Sequence, residues 1–204
     1  SDIDIIWGKA SSYISKSSVL TNGYEYVSTY DQMMALEEGS KSFGQFTNSL
    51  WKTVQSDKKT PNLEQMAVKA VDILDDTEEG FFLMIEGAHI DKHSHDNEAE
   101  NMVEALIEFD KTIAAMLEYA EKDGETLVVV TADHETGKVT LKNDEYKWLS
   151  DSHTGVDVPF FVYGADGIVA DGETAKNTDI PDRAVAYMTN NEQAFPCPLV
   201  YLDK

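Results

Sequence analysis

Apolar and polar residues recur along this chain with two periods, one typical of strands and one typical of helices. Short apolar or alternating runs predict strands at residues 2–6, 24–29, 81–85, 126–130 and 158–163. Helical spacing predicts helices at residues 30–38, 61–74 and 99–122, the last one stopped by Gly124. Because long helical crossovers join these strands, the order of elements indicates an α/β fold with a mostly parallel sheet flanked by helices.

Residues 1–204 are expected to form a single domain, with an irregular connecting segment at residues 39–60, which are rich in Ser, Lys and Gly. In the long helix the expected core-facing positions recur at steps of three and four residues. They are Val103, Leu106, Asp110, Ile113, Leu117 and Ala120, with Asp110 as the polar exception.

Composition narrows the possible partners. The chain has 204 residues, 42% of them hydrophobic, so it can fill a sizeable core, and its formal net charge is −22. No basic patch exceeds two adjacent lysines, which argues against binding to nucleic acid or to an anionic membrane surface. No apolar stretch is long enough to span a bilayer, and residues 1–20 lack the basic region and cleavage pattern of a signal peptide.

All five histidines lie in three short clusters, each with a carboxylate or a turn glycine beside it. Glu86 directly follows the predicted strand 81–85, while Asp133 and His134 come shortly after the strand 126–130. Because sites in such sheets form at the carboxyl ends of strands, we expect these side chains at one edge. His153 precedes its strand and must therefore reach the site from a loop.

Residue spacing favours a metal site. Asp91 and His95 are four residues apart, which places them on one face if a helical turn begins there. One carboxylate and two imidazoles with an open position are typical of a catalytic zinc site. Asp133 and His134 are neighbours and could bind one metal together only on a turn, since neighbours on a strand point to opposite faces.

The other polar residues near these clusters have plainer interpretations. His89 and His93 are expected not to bind metal themselves but to lie behind the metal ligands or at the surface, and Glu135 is expected to be a surface carboxylate. Lys92 could attract phosphate or simply be solvated.

Three blocks of this sequence together resemble the alkaline phosphatases. The segment Gly80-Phe-Phe-Leu-Met-Ile-Glu86-Gly-Ala-His-Ile-Asp91 is similar to one family block, and Thr131-Ala-Asp133-His134 is identical to another. His153-Thr154-Gly155 resembles the family's last metal-binding loop. The similarity runs from about Gly80 to Met188, with weaker matches before it.

The resemblance implies a three-layer α/β sandwich, of which this chain would hold the carboxyl-terminal portion, and an activity on phosphate monoesters through a phosphoserine intermediate. It implies a first zinc on Asp91, His95 and His153, a second zinc on Asp133 and His134, and a magnesium ion on Glu86. It also implies that Lys92 lies near the phosphate, that the protein self-associates, and that it acts in the periplasm or at the cell surface.

The family's nucleophile block, Asp-Ser-Ala, does not occur in these 204 residues. We therefore expect no catalytic nucleophile in this chain, at most one tightly bound zinc, and little activity from the chain alone. Two alternatives stay open. One is a related phosphodiesterase or sulfatase-like hydrolase that shares the metal ligands, and the other is an acidic metal-binding or interaction module without catalysis.

Overall fold

The structure is a computed structural model that describes residues 3–46, 59–75, 80–164, 169–170, 174, 176–189 and 195–196. The chain divides into two compact units. The first contains residues 1–89 and 105–112, and the second contains residues 90–104 and 113–204. Among the described residues, none of the helices combines the length and the apolar character that crossing a bilayer requires. The single domain predicted for residues 1–204 stays a prediction.

The first unit is built on a three-stranded parallel sheet. Its strands are β1 (Ile5–Lys9), β2 (Glu25–Val27) and β3 (Ser42–Phe46), with β3 in the centre. Three described helices lie wholly in this unit, α1 (Lys16–Thr21), α2 (Tyr30–Met34) and α3 (Leu63–Leu74). Its core contains Val27, Met33, Leu36, Phe46 and Ile73.

Helix α3 begins where local chemistry predicts it. The side chain of Asn62 accepts a hydrogen bond from the backbone N–H of Gln65 (2.8 Å), and the Gln65 side chain accepts one from the backbone N–H of Asn62 (3.0 Å). This reciprocal capping box satisfies two donors at the start of the helix. The apolar stripe then buries Ala67, Ala70 and Val71.

Two predictions in this unit are wrong for the described residues. Residues 42–46 are not irregular but form β3, because hydrogen bonding on both edges outweighs the weak strand preference of glycine and glutamine there. Residues 47–58 of the same predicted segment lie outside the described residues. Residues 81–85 form no strand, although their exposure alternates as in a strand, with Phe82 and Met84 on the solvent side. An alternating pattern separates the solvent side of a segment from its inner side, but it does not by itself determine that the segment joins a sheet.

The remaining helices are α4 (Ala88–His95), α5 (Ala99–Asp123) and α6 (Asp179–Met188). The remaining strands are β4 (Val128–Thr131), β5 (Glu135–Thr136), β6 (Thr140–Lys142), β7 (Glu145–Lys147), β8 (His153–Thr154), β9 (Phe160–Tyr163), β10 (Val169–Ala170) and β11 (Phe195–Pro196). In the second unit Val162 of β9 is buried among partly buried residues of β4 and α6.

The α/β class is confirmed, but the mostly parallel sheet is wrong for the second unit. Among the residues that the structure describes there, the pairs β4–β9, β5–β8 and β6–β7 are antiparallel, and only β10–β11 is parallel. Parallel pairing needs a long crossover, usually a helix. Between β4 and β9 the chain contains only short strands and turns, so it returns in the opposite direction.

Helix α5 buries a different face from the one predicted. Its buried positions are Met102, Ala105, Glu108, Thr112, Met116 and Ala120. Of the predicted positions only Ala120 is among them, and Leu106 is 50% exposed. The helix ends as predicted, with Gly124 in the left-handed conformation (φ 80°) and its N–H bonded to the carbonyl of Ala120.

Candidate metal centre

Helix α4 presents two of the predicted ligands on one face. Asp91 and His95 are separated by one helical turn, and Oδ1 of Asp91 lies 3.4 Å from Nε2 of His95. Their side chains are 39% and 34% exposed, so the pair is open to solvent rather than enclosed. The prediction that both residues share a helical face is confirmed.

His153 joins this pair from the two-residue strand β8 rather than from a loop. Its Nε2 lies 3.5 Å from Oδ1 of Asp91 and 3.0 Å from Nε2 of His95. The ligand atoms of the three residues all lie within 4.8 Å of one another, a group that could hold a metal ion. Residues 58 positions apart in sequence are therefore brought into one cluster.

The spacing of these atoms fits a tetrahedral ion. Zinc bonds of about 2.0–2.1 Å to nitrogen and oxygen require neighbouring ligand atoms about 3.3–3.4 Å apart in a tetrahedral site. The separations of 3.4 and 3.5 Å from Asp91 match this requirement. The two imidazole nitrogens, at 3.0 Å, need to move apart by only a few tenths of an ångström.

The hydrogen bonds of His95 also suit a metal ligand. Its Nδ1 lies 2.7 Å from the backbone carbonyl oxygen of Asp151. Because a carbonyl oxygen can only accept, Nδ1 carries the proton and Nε2 of the neutral ring keeps its lone pair. Such a carbonyl partner is common behind histidines that bind metals, since it fixes the tautomer and the ring orientation.

Asp133 and His134 form a second group next to the first. They lie on the bend between β4 and β5, as their predicted shared role requires. Oδ2 of Asp133 is 3.2 Å from Nε2 of His134, and the His134 ring stacks on the His153 ring with centroids 3.5 Å apart. Together the two groups bring five of the six predicted metal ligands into the second unit.

Glu86, the sixth predicted ligand, belongs to the first unit and is exposed. Lys92 is an exposed residue of α4. His93 is not a surface residue, because it is buried, and its Nδ1 lies 2.9 Å from Oε2 of Glu98, just before helix α5.

Sequence reasoning missed two features of the site. Glu135 is not a surface carboxylate, since it is half-buried and accepts hydrogen bonds from the Thr154 hydroxyl and from the Val139 N–H. Thr136 contacts both Asp91 and His134 through its hydroxyl. A signal for Thr136 was available, because it follows His134 by two residues and an extended backbone places such residues on one face.

Comparison with known proteins places this chain among the alkaline phosphatases. The family model described as alkaline phosphatase matches residues 14–146. Alkaline phosphatase 4 of Bacillus subtilis (strain 168) is 38% identical over 154 residues, which cover 72% of this chain and 33% of the relative. The chain spans about a third of the length of the curated relatives it matches.

Solved structures show the same fold. The cold-active alkaline phosphatase of Shewanella sp. aligns over 93% of this chain and 66% of its own, with a TM-score of 0.79 and 21% identity. The alkaline phosphatase of the Antarctic bacterium TAB5 aligns over 93% of this chain and 61% of its own, with a TM-score of 0.73 and 24% identity. A mutant of the TAB5 protein, aligned over 80% of this chain and 54% of its own (TM-score 0.62, 23% identity), was solved with Mg bound in its M3 site.

Proposed function

Since this chain belongs to the alkaline phosphatase family, we propose that it is part of a metal-dependent phosphomonoesterase that hydrolyses phosphate monoesters through a phosphoserine intermediate. The observation that carries the proposal is the cluster of Asp91, His95 and His153, whose ligand atoms lie within 4.8 Å of one another. Its donor set and its exposure are those of a catalytic rather than a structural zinc site.

In this proposal Asp91, His95 and His153 hold one zinc, Asp133 and His134 contribute to a second, and Glu86 contributes to a magnesium site. Two such ions supply stabilisation of the attacking and leaving oxygens of a phosphoryl transfer. The residues of this chain orient the ligand atoms: the Asp151 carbonyl fixes the tautomer of His95, and the β5–β8 pair fixes the backbone of His153. Lys92, exposed on α4, attracts the phosphate.

The chain carries a formal net charge of −22, so bound cations rather than protein side chains would provide most of the positive charge near an anionic substrate. We also propose that the protein self-associates and acts in the periplasm or at the cell surface. Exposed apolar residues such as Phe82 and Met84 favour self-association. A purely monomeric chain in concentrated solution, measured by light scattering, would contradict that part.

Substrate profiling tests the proposed reaction. A longer polypeptide that contains these residues and an Asp-Ser-Ala block is expected to hydrolyse a chromogenic phosphate monoester at least tenfold faster than the matching diester or sulfate ester. Replacing Asp91 with alanine in that polypeptide should abolish most of the turnover, because it removes a charged ligand. Preference for the diester or the sulfate ester would favour the sulfatase-like or phosphodiesterase alternative.

The 204-residue chain alone contains no Asp-Ser-Ala block and is expected to show little turnover of the same ester. If the longer polypeptide is also inactive although it binds metal, the non-catalytic metal-binding module becomes the better account. Rapid turnover by the 204 residues alone would contradict the proposed need for a nucleophile elsewhere.

A further inference from the structure

The turn that follows β5 is joined by hydrogen bonds to the segment that leads into β8. The N–H of Gly137 donates to the backbone carbonyl of Ser152 (3.0 Å). The carbonyl of Gly137 accepts from the N–H groups of Leu149 (3.0 Å) and Ser150 (3.1 Å). Gly137 therefore holds both ends of the segment 149–152, which follows the β6–β7 hairpin.

The segment 149–152 contacts one candidate zinc ligand and continues into another. The backbone carbonyl oxygen of Asp151 lies 2.7 Å from Nδ1 of His95, and His153 follows the segment directly, in β8. Groups that bind a metal have to be held within about 0.5 Å of their productive positions. A small shift of this segment would therefore change how the site binds a metal ion.

Trp148 packs against Gly137 at the place where any other residue would have a side chain. Gly137 has a φ of 84°, and a Cβ built on it would lie 2.5 Å from Cδ1 and 3.1 Å from Nε1 of Trp148. Nε1 is buried and has no hydrogen-bond partner among the described residues, so packing rather than a polar contact holds the ring. A methyl group at position 137 would push the ring aside, and Leu149, the next residue, would move with it.

We propose that Gly137 is a positioning residue of the candidate zinc site. Its lack of a side chain lets Trp148 pack on the turn. Its backbone then holds the segment 149–152 in the position that His95 and His153 need. This inference rests on the proposed function, because it takes these two histidines to bind zinc. Partners that orient metal ligands typically change metal affinity about 10–100-fold when they are altered.

Zinc affinity of the 204-residue chain, measured by competition with a chromogenic chelator, tests the role of Gly137. Gly137→Ala should weaken zinc binding about tenfold, because the displaced Trp148 ring carries the segment 149–152 with it. The visible spectrum of the Co²⁺-loaded chain should change as well, since it reports ligand geometry, which a general loss of stability leaves unaltered. An unchanged affinity and an unchanged spectrum would overturn the proposal.

Gly164→Ala is the matched control. Gly164 also has a positive φ (95°), and a Cβ there would lie 2.4 Å from the backbone oxygen of Thr126, so this substitution likewise adds strain and a clash. Gly164 lies beside the start of β4, whereas Asp133 and His134 follow its end. The variant should lower stability but keep zinc affinity within about twofold of wild type. Equal weakening by both variants would contradict a specific role of Gly137.

Trp148→Ala separates the clash from the strain of the backbone. In this background a methyl group at position 137 no longer meets the indole ring. Gly137→Ala should then weaken zinc binding by at most about twofold, compared with about tenfold in the wild-type background. The same loss in both backgrounds would show that the packing of Trp148 plays no part, and would overturn the proposed mechanism.

A measurement on the wild-type chain tests the inference even if Gly137→Ala does not fold. Coupling between two sites is reciprocal, so zinc should stabilise the bonds that Leu149 and Ser150 donate to Gly137. Hydrogen exchange of these two amides is expected to slow at least about tenfold when zinc is added. Exchange that zinc leaves unchanged would overturn the proposal.

The outcomes separate this inference from the proposed function. If the wild-type chain binds zinc and Gly137→Ala changes neither affinity nor spectrum, the role of Gly137 is wrong while the metal site stands. If the wild-type chain binds no zinc, the proposed metal site of this chain is wrong, and the positioning role of Gly137 is wrong with it.

Discussion

Glu108 shows how strongly one buried residue can affect this protein. Its side chain is only 4% exposed within helix α5, and its Oε1 has no hydrogen-bond partner among the described residues. Burial raises the pKa of the Glu108 carboxyl above its ordinary value of 4.5, Lys111 acts to lower this pKa, and Glu64 acts to raise it further. The folded state therefore favours the protonated form of Glu108 more than the unfolded chain does.

This shift predicts how stability depends on pH. The contribution of Glu108 is fully present below pH 4.5, the ordinary value, and is lost as the pH rises through the raised pKa of the folded state. Glu108→Leu should therefore raise the free energy of unfolding at pH 7 by about 1 kcal/mol, because it removes a buried and incompletely bonded carboxylate. Urea denaturation across pH 4–8 measures the effect. The expected gain is larger than the change of about 0.5 kcal/mol that surface substitutions usually cause.

Glu104→Gln is the control for Glu108→Leu, since Glu104 is exposed on the same helix and its replacement should change stability little at any pH. The gain from Glu108→Leu should shrink as the pH falls toward 4.5. A difference between wild type and variant that stays constant over the whole pH range would contradict this explanation.

Among the site residues, sequence spacing was sufficient to predict that Asp91 and His95 share one face of a helix, because about four residues make one helical turn and both lie on α4. It was not sufficient for Thr136. Its place in the site depends on a hydroxyl bonded to Asp91, a residue 45 positions away, and hydrogen bonds between distant segments leave no periodic pattern in the sequence. The same holds for Asp151, which contributes only its backbone carbonyl.

At the scale of elements, the β4–β9 pair depends on a glycine at its end, where the backbone of Gly164 passes close to the backbone of Thr126. Gly164 follows β9 with φ of 95°, and a Cβ there would lie 2.4 Å from the backbone oxygen of Thr126. Gly124, which ends helix α5, has a similar φ of 80°, but apart from its chain neighbours no described residue comes within 4 Å of the position of its Cβ. The two glycines therefore share a positive φ but differ in what a side chain at their position would contact.

Gly164→Ala is expected to lower the free energy of unfolding by about 2–4 kcal/mol, because it adds a clash with a backbone atom to the strain of a left-handed residue. Gly124→Ala should lower the free energy of unfolding by about 1–2 kcal/mol, because it adds only the strain of a left-handed residue and no clash. Thermal denaturation of both variants measures the difference. Equal losses would show that the contact with Thr126 is relieved without cost.

Local sequence signals predicted where helices begin and end better than they predicted how the strands pair. The capping box at Asn62 and Gln65 and the stop at Gly124 act within a few residues, so the bounds of α3 and α5 could be predicted. The face of α5 could not, because Glu108 is buried where the apolar periodicity favoured Leu106. The antiparallel direction of β9 depends on the path of the chain between the strands, which residue type does not encode.

For the whole molecule, the comparisons establish the family and the α/β fold, while the chain covers about a third of the curated relatives it matches. The proposed enzyme therefore combines the ligands of this chain with a nucleophile that lies outside these 204 residues. Five of the six predicted metal ligands lie in one compact unit, and the three ligands of the proposed first zinc site are among them.

Zinc bound per chain, measured by mass spectrometry of the metal after equilibration with zinc and dialysis, tests the account most directly. The wild-type chain is expected to retain one zinc, and His153→Ala is expected to retain none, because Asp91 and His95 alone provide only two ligands. His89→Ala, which removes a histidine outside the cluster, should retain one. A wild-type chain without zinc, or a His153→Ala chain that keeps it, would contradict the proposed site.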